Sequence, residues 1–291
     1  MIRSVAERSR IGRRLSGRFV AGMTVEEALQ ATAATNAKGM SVSVDNLGEN
    51  VTNAQEAEAS AQLYHRLLDV ITERRLKANV SLKLTHMGLD VDPKLAEKLV
   101  CGLVDHAKRL DNFVRVDMEG SPYTERTLEF VHQLHSHYPG HTGAVLQSYM
   151  RRSEADARQL IAAGIRIRLC KGAYKEPPEI AYQKKSEVDA NYIRLMKILL
   201  KSGIYHGIAT HDERIIQQTM LFAEKENIAR DSFEFQMLYG IRRDLQERIV
   251  REGWRMRVYI PFGAEWYPYL MRRLAERPAN VFFIAKNILR R

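Results

Sequence analysis

The run Arg168-Leu169-Cys170-Lys171-Gly172-Ala173-Tyr174 sets two cations beside a glycine. Arg168 and Cys170 face the same way, and Gly172 lets the backbone come close to a ligand whose phosphate its neighbours' N–H groups can hold. The same string also suits a barrel rim closed by salt bridges. Arg272 and Arg273 are adjacent, with Tyr269 and Glu276 in the same helical stretch. Paired guanidinium groups grip a carboxylate bidentately, although adjacent arginines are also common on solvated faces. Lys83, Asp117, Glu119, Gln147, Thr210, His211, Asp212, Gln236 and Tyr259 each stand at the end of an apolar run. A lysine in such a place, Lys83 or Lys171, could also serve as a Schiff-base amine. His132, His135, His137 and His141 lie close together with no Asp, Glu or Cys among them, a poor set of metal ligands.

Eight apolar runs must carry these residues: 40–47, 79–85, 112–118, 143–149, 165–170, 205–210, 232–238 and 254–261. Their β-branched content and period-two alternation predict strands. Helical spacing fills the gaps at 53–78, 93–109, 125–137, 153–163, 178–202, 213–226 and 241–252, with Thr52, Asp92, Thr124 and Asp212 placed to cap four of them. Strands joined by single helices form right-handed parallel units, and eight such units close a (β/α)8 TIM barrel of the α/β class. No G-x-G-x-x-G follows any strand, which argues against an open doubly wound sheet. Residues 1–39 then form an N-terminal helical extension, its apolar positions Val25, Ala28, Leu29, Thr32 and Ala33 suited to crossing the barrel bottom, and residues 40–291 form the barrel. Active sites of such barrels lie at the C-terminal strand ends. Lys83, Arg168 and Lys171 gathered there call for an anionic ligand, because a buried unpaired charge loses its hydration.

The chain has 291 residues, a net charge of +10, 45% hydrophobic and 27% charged residues, a globular rather than disordered balance. Two cysteines, Cys101 and Cys170, exclude a disulfide framework and fit a reducing, cytoplasmic setting. No apolar run is long enough to span a membrane. Arg3, Arg8, Arg10, Arg13, Arg14 and Arg18 lack the apolar core of a secretory signal and read as a solvated basic arm or one that touches anionic lipid. No nucleic-acid module or stripe of interleaved aromatics is present, so nucleic acid is not an expected partner.

Six strings occur together in this order: SLKLTHMGL, VRVDMEGSPYT, RLCKGAY, ATHD, EFQMLYGIR and YIPFGAEWYPYLMRRLAERPAN. From Phe19 to the C-terminus the chain resembles the monofunctional bacterial proline dehydrogenases, relatives of the dehydrogenase domain of the bifunctional proline utilisation proteins. The resemblance implies an FAD-binding barrel whose last helix lies over the mouth. It implies oxidation of L-proline to Δ1-pyrroline-5-carboxylate by hydride transfer from C5 to flavin N5, with electrons passed to a quinone. Lys83, Arg272 and Arg273 then bind the proline carboxylate, Tyr259 and Tyr269 pack around the ring, and Asp117 supports the cations. Arg168 approaches the flavin N5 edge and Gln147 its pyrimidine end. Lys171, Gly172 and Ala173 hold the linking portion, Met118, Thr210 and His211 make further contacts, and Glu276 meets the ribityl chain or an arginine. The segment ahead of Phe19 is shorter than the family pattern, which bears on peripheral contact with the inner face of the cell membrane. The chain is too short for an aldehyde dehydrogenase domain, so a separate pyrroline-5-carboxylate dehydrogenase is expected to take the next step.

Overall fold

Strand and helix alternate into eight parallel strands closed as one barrel, in a computed structural model that describes residues 17–48 and 50–276, with the backbone alone for 272–276. The strands are β1 (Ser41–Asn46), β2 (Ala78–Leu82), β3 (Val114–Val116), β4 (Thr142–Gln147), β5 (Arg166–Cys170), β6 (His206–Ala209), β7 (Phe233–Leu238) and β8 (Met256–Phe262). The helices are α1 (Val25–Asn36), α2 (Ala54–Glu73), α3 (Pro93–Arg109), α4 (Ser121–His137), α5 (Ser153–Ala162), α6 (Lys185–Lys201), α7 (Glu213–Lys225), α8 (Arg243–Arg251) and α9 (Trp266–Glu276).

Side chains alternate across each strand. Val42, Val80, Val114, Leu146, Ile167, Ile208 and Phe235 point outward and are buried under the helices, where the main apolar core lies. The inward set is polar. Arg168 on β5 reaches Ser43 on β1 (3.2 Å) and Ser81 on β2 (2.9 Å), contacts possible only through the barrel interior. Two glycines make this possible by their lack of volume: a Cβ on Gly143 would stand 2.6 Å from Arg115 Nη1, and one on Gly207 would stand 2.4 Å from Gln236 Nε2.

α1 does not cross the barrel bottom. Its entry is fixed at the mouth, where Ala21 N–H donates to Pro261 O (2.9 Å) and Gly263 N–H donates to Gly22 O (3.0 Å). Its exit is at the opposite end, where Asn36 Nδ2 donates to Lys77 O (3.2 Å) ahead of β2. The helix therefore runs down the wall beside β8 and β1, started by a Thr24–Glu27 capping box. It fills the outer-ring place that a helix after β8 would take. α9 turns instead toward the mouth, where Trp266, Tyr269 and Leu270 pack with Phe19, Val20 and Leu47.

Three local expectations are corrected. Asn53 rather than Thr52 caps α2, accepting from Glu56 N–H (3.0 Å), while Thr52 N–H donates to the Glu56 side chain (2.8 Å). Thr124 lies inside α4, which begins at Ser121; there Glu176 from a distant loop accepts from Ser121 N–H (2.7 Å) and does the work of a cap. α6 begins at Lys185 rather than 178. Residues 178–184 instead pair with the turn after β4, Arg151 N–H donating to Ile180 O (3.0 Å) and Tyr182 N–H to Tyr149 O (2.8 Å). Asp92 and Asp212 cap α3 and α7.

Candidate active site

A cavity of about 690 Å3 opens at the C-terminal ends of the strands. Lys83, Asp117, Met118, Gln147, Arg168, Lys171, Gly172, Ala173, Thr210, His211, Tyr259 and Tyr269 all line it. The side chains of Arg272, Arg273 and Glu276 lie outside those described; the backbone of α9 carries Arg272 and Arg273 about one turn, and Glu276 about two turns, beyond Tyr269.

Arg168 is the hub of the cavity floor. Its Nη1 donates to Asp117 Oδ1 (2.7 Å), its Nε to Gln236 Oε1 (2.7 Å), and its guanidinium stacks 5.1 Å from the centre of the Tyr259 ring. Asp117 also accepts from Ser81 Oγ (3.2 Å) and from the Tyr259 hydroxyl (2.9 Å). A planar guanidinium locked by a carboxylate, an amide, two hydroxyls and a ring cannot swing away, so the positive charge is fixed in place. Burial, and then the carboxylates of Asp117 and Asp45, push the Tyr259 hydroxyl well above the usual phenol range, so it stays a donor.

Beside this hub, Lys83 Nζ meets Asp45 Oδ2 at 3.4 Å, and Asp45 Oδ1 accepts from the Tyr64 hydroxyl (3.2 Å). Burial raises the Asp45 carboxyl, Lys83 opposes that rise, and Asp117 adds to it. Asp45 was missed by sequence reasoning. The signal was present: Ser41, Ser43 and Asp45 alternate with Val42 and Val44, which sends the polar set inward.

The three cations expected to lack partners are paired. Lys83 has Asp45, Arg168 has Asp117, and Lys171 Nζ reaches both Asp189 (2.6 Å) and Asp212 (2.9 Å) at the rim. These acids come from strand and helix positions remote in sequence. Gly172 has a left-handed φ of +112°, and a Cβ there would fall 2.3 Å from the Tyr149 ring, so this glycine is required by Tyr149 as well as by the turn. His211 Nε2 accepts from Leu238 N–H (2.9 Å), which leaves Nδ1 as the proton-bearing nitrogen of the neutral ring. Gln147 is 4% exposed; its Nε2 donates to Glu119 O (2.9 Å), and its Oε1 has no hydrogen-bond partner. A buried amide oxygen at a cavity wall is free to accept from a ligand N–H or from water.

The model of the proline dehydrogenase family matches residues 28–286. The chain belongs to the proline dehydrogenase family. Proline dehydrogenase 1 of Bacillus subtilis (strain 168) is 39% identical over 283 residues, covering 97% of this chain and 92% of that one. The proline dehydrogenase of Deinococcus radiodurans is 40% identical over 280 residues, covering 95% and 90%. The crystal structure of proline utilization A from Bdellovibrio bacteriovorus, inactivated by N-propargylglycine, superposes with a TM-score of 0.85 at 29% identity. That match covers 90% of this chain and 32% of the longer one. The barrel with its helix over the mouth is thus that of proline dehydrogenase domains.

Proposed function

We propose that this proline dehydrogenase oxidises L-proline to Δ1-pyrroline-5-carboxylate in the mouth cavity, with FAD as the bound oxidant and a quinone as the final acceptor. The observation that carries the reading is the rigid Arg168–Asp117–Tyr259 lattice under a cavity that α9 reaches over, in a chain of this family.

The residues present fit a flavin. The unpartnered Oε1 of Gln147 can accept from an N–H donor, which the pyrimidine end of an isoalloxazine has. The mouth also carries the N-termini of the barrel helices, with α7 starting directly after Thr210 and His211, and helix N-termini favour phosphate. Met118, Gln147, Lys171, Gly172, Ala173, Thr210 and His211 would hold the cofactor, with Glu276 from α9, and Arg168 would lie at its reactive edge. Bound there, FAD supplies the acceptor for the hydride that leaves proline C5.

The chain's own part is positional and electrostatic. Lys83, Arg272 and Arg273 fix the substrate carboxylate through charge-assisted bonds. Tyr259 and Tyr269 close around the ring and exclude water. Asp117 holds Arg168 and Tyr259 in register, and Arg168 keeps a positive charge where electron density arrives. The amine must be neutral for the hydride to leave, and its proton passes to water. The product opens by hydrolysis to glutamate semialdehyde, a substrate for a separate pyrroline-5-carboxylate dehydrogenase. Delivery of electrons to a quinone would bring a basic protein against the anionic inner face of the cell membrane; among the described residues no helix is long and apolar enough to cross it.

Steady-state oxidation of L-proline with a dye acceptor, with the product trapped by an aromatic aldehyde-amine reagent, tests the assignment. Trapped pyrroline in proportion to dye reduced is expected. Dye reduction without it, or none at all in flavin-loaded protein, would overturn the reading.

A further inference from the structure

A second cavity, of about 670 Å3, lies at the opposite, N-terminal end of the barrel. Arg75, Lys77, Arg166 and Arg257 line it, against Asp111 as the one lining carboxylate among the described residues. Among the described residues only Arg257 has a carboxylate partner there, Glu234 Oε1 at 2.6 Å. Glu234 also accepts from the Tyr205 hydroxyl (3.0 Å) and from Gln236 Nε2 (2.6 Å), so three donors already share its two oxygens.

Arg166 packs against the rings of Phe113 (5.5 Å) and Tyr205 (5.8 Å), and no carboxylate stands within ion-pair distance of it among the described residues. Behind it Arg115 is 6% exposed. Its Nη1 donates to the carbonyls of Ala144 (2.9 Å) and Arg166 (2.7 Å), while its Nε is buried without a partner. Burial, and then the charge of Arg168 above, push Arg115 well below the usual arginine range. The C-termini of α2, α3 and α4 end around this cavity, each equivalent to about half a negative charge, and offset part of the cationic excess. The lower half of the barrel therefore holds, in Arg166 and Arg115, two arginines with no ion-paired carboxylate among the described residues, next to a space larger than a small anion.

We propose that this cavity binds a small, multiply charged oxyanion of the phosphate or carboxylate class, with Arg166 as its main ligand and Lys77 and Arg75 at its rim. The site is independent of the mouth, because Arg166 opens to the bottom while Arg168, two residues along β5, opens to the top.

Thermal unfolding of the flavin-loaded protein tests it, in inorganic phosphate or succinate against chloride at matched ionic strength. At least one of the two anions should raise Tm by about 2–4 °C near saturation, growing with the logarithm of its concentration. Phosphate alone, or succinate alone, identifies which oxyanion class fits. Arg166→Gln should abolish the rise. No rise with either anion, or an equal rise in Arg166→Gln, would overturn the proposal. Should Arg166→Gln fail to fold, the double variant Arg75→Gln/Lys77→Gln, both residues being exposed, decides: it should weaken apparent affinity at least tenfold, and unchanged affinity would equally overturn the site.

Discussion

Replacing Arg168 by methionine keeps much of the side-chain volume but removes the charge on which the cavity floor is built. The substitution deletes the bonds to Asp117, Gln236, Ser43 and Ser81 and leaves the Asp117 carboxylate, 8% exposed, with only the hydroxyls of Ser81 and Tyr259. Stranding one member of a buried pair costs about 3–5 kcal/mol, a large part of a typical folding stability of about 5–15 kcal/mol. Asp117→Asn alone should cost about 1.5–3 kcal/mol, since it removes a charged acceptor from Arg168 but leaves the other partners. Made together, the two changes remove both charges, so the double variant should be more stable than the sum of the single losses predicts by at least about 2 kcal/mol. Urea unfolding of the four proteins at one fixed excess of FAD measures this. Losses that add to within about 0.5 kcal/mol would show that Arg168 and Asp117 do not act as one buried pair. The same Arg168→Met protein should oxidise L-proline more slowly.

Gln147→Met should weaken FAD binding to the apoprotein about 5–15-fold by removing the unpartnered acceptor, read by flavin fluorescence; unchanged affinity would take Gln147 out of the flavin site. Tyr259→Phe deletes the donor to Asp117 but keeps the ring over Arg168, and should reduce the preference for proline over hydroxyproline by about 1–3 kcal/mol in kcat/KM, a preference equal to the parent's being the contrary result. Arg272→Ala or Arg273→Ala should raise KM for proline about 10–150-fold with FAD content intact, and a normal KM would remove that arginine from the carboxylate. His206 accepts from Ile167 N–H (2.9 Å) in the core, where burial, and then Arg115, lower its pKa to about 3. The unfolded chain takes up that proton below about pH 6.5 and the folded chain does not until about pH 3, so stability is lost as the pH is lowered through this window, by up to about 1.4 kcal/mol per unit. His206→Gln should flatten that slope, and an unaltered slope would assign the acid sensitivity elsewhere.

All eight strands are legible in the sequence because each is an alternating or continuous apolar run and is followed by a helix-period stretch. The residues at the strand ends are legible for the same reason, since a (β/α)8 barrel sends them to one mouth. What is not legible is pairing across the barrel. Lys171 looks unsatisfied in its own segment, and its partners Asp189 and Asp212 arrive from α6 and the start of α7. Asp45 is hidden in a strand whose flanks carry no ligand-like residue, and only its alternation with Val42 and Val44 gives it away. The course of α1 down the wall depends on backbone bonds from residues 21 and 22 to the end of β8, which no local periodicity encodes. The loop 171–184 reads as helix-compatible at its end until its backbone is committed to the turn after β4.

The central claim is that proline gives up its hydride inside the mouth cavity to a flavin held by this chain. Anaerobic addition of L-proline to the flavin-loaded protein tests this most directly, with no acceptor present and D-proline as the control. The account predicts that L-proline bleaches the long-wavelength flavin band to completion, with one pyrroline formed per flavin reduced, and that readmitting a quinone restores the colour. A flavin band that stays unchanged in L-proline, in protein shown to carry FAD, would contradict it.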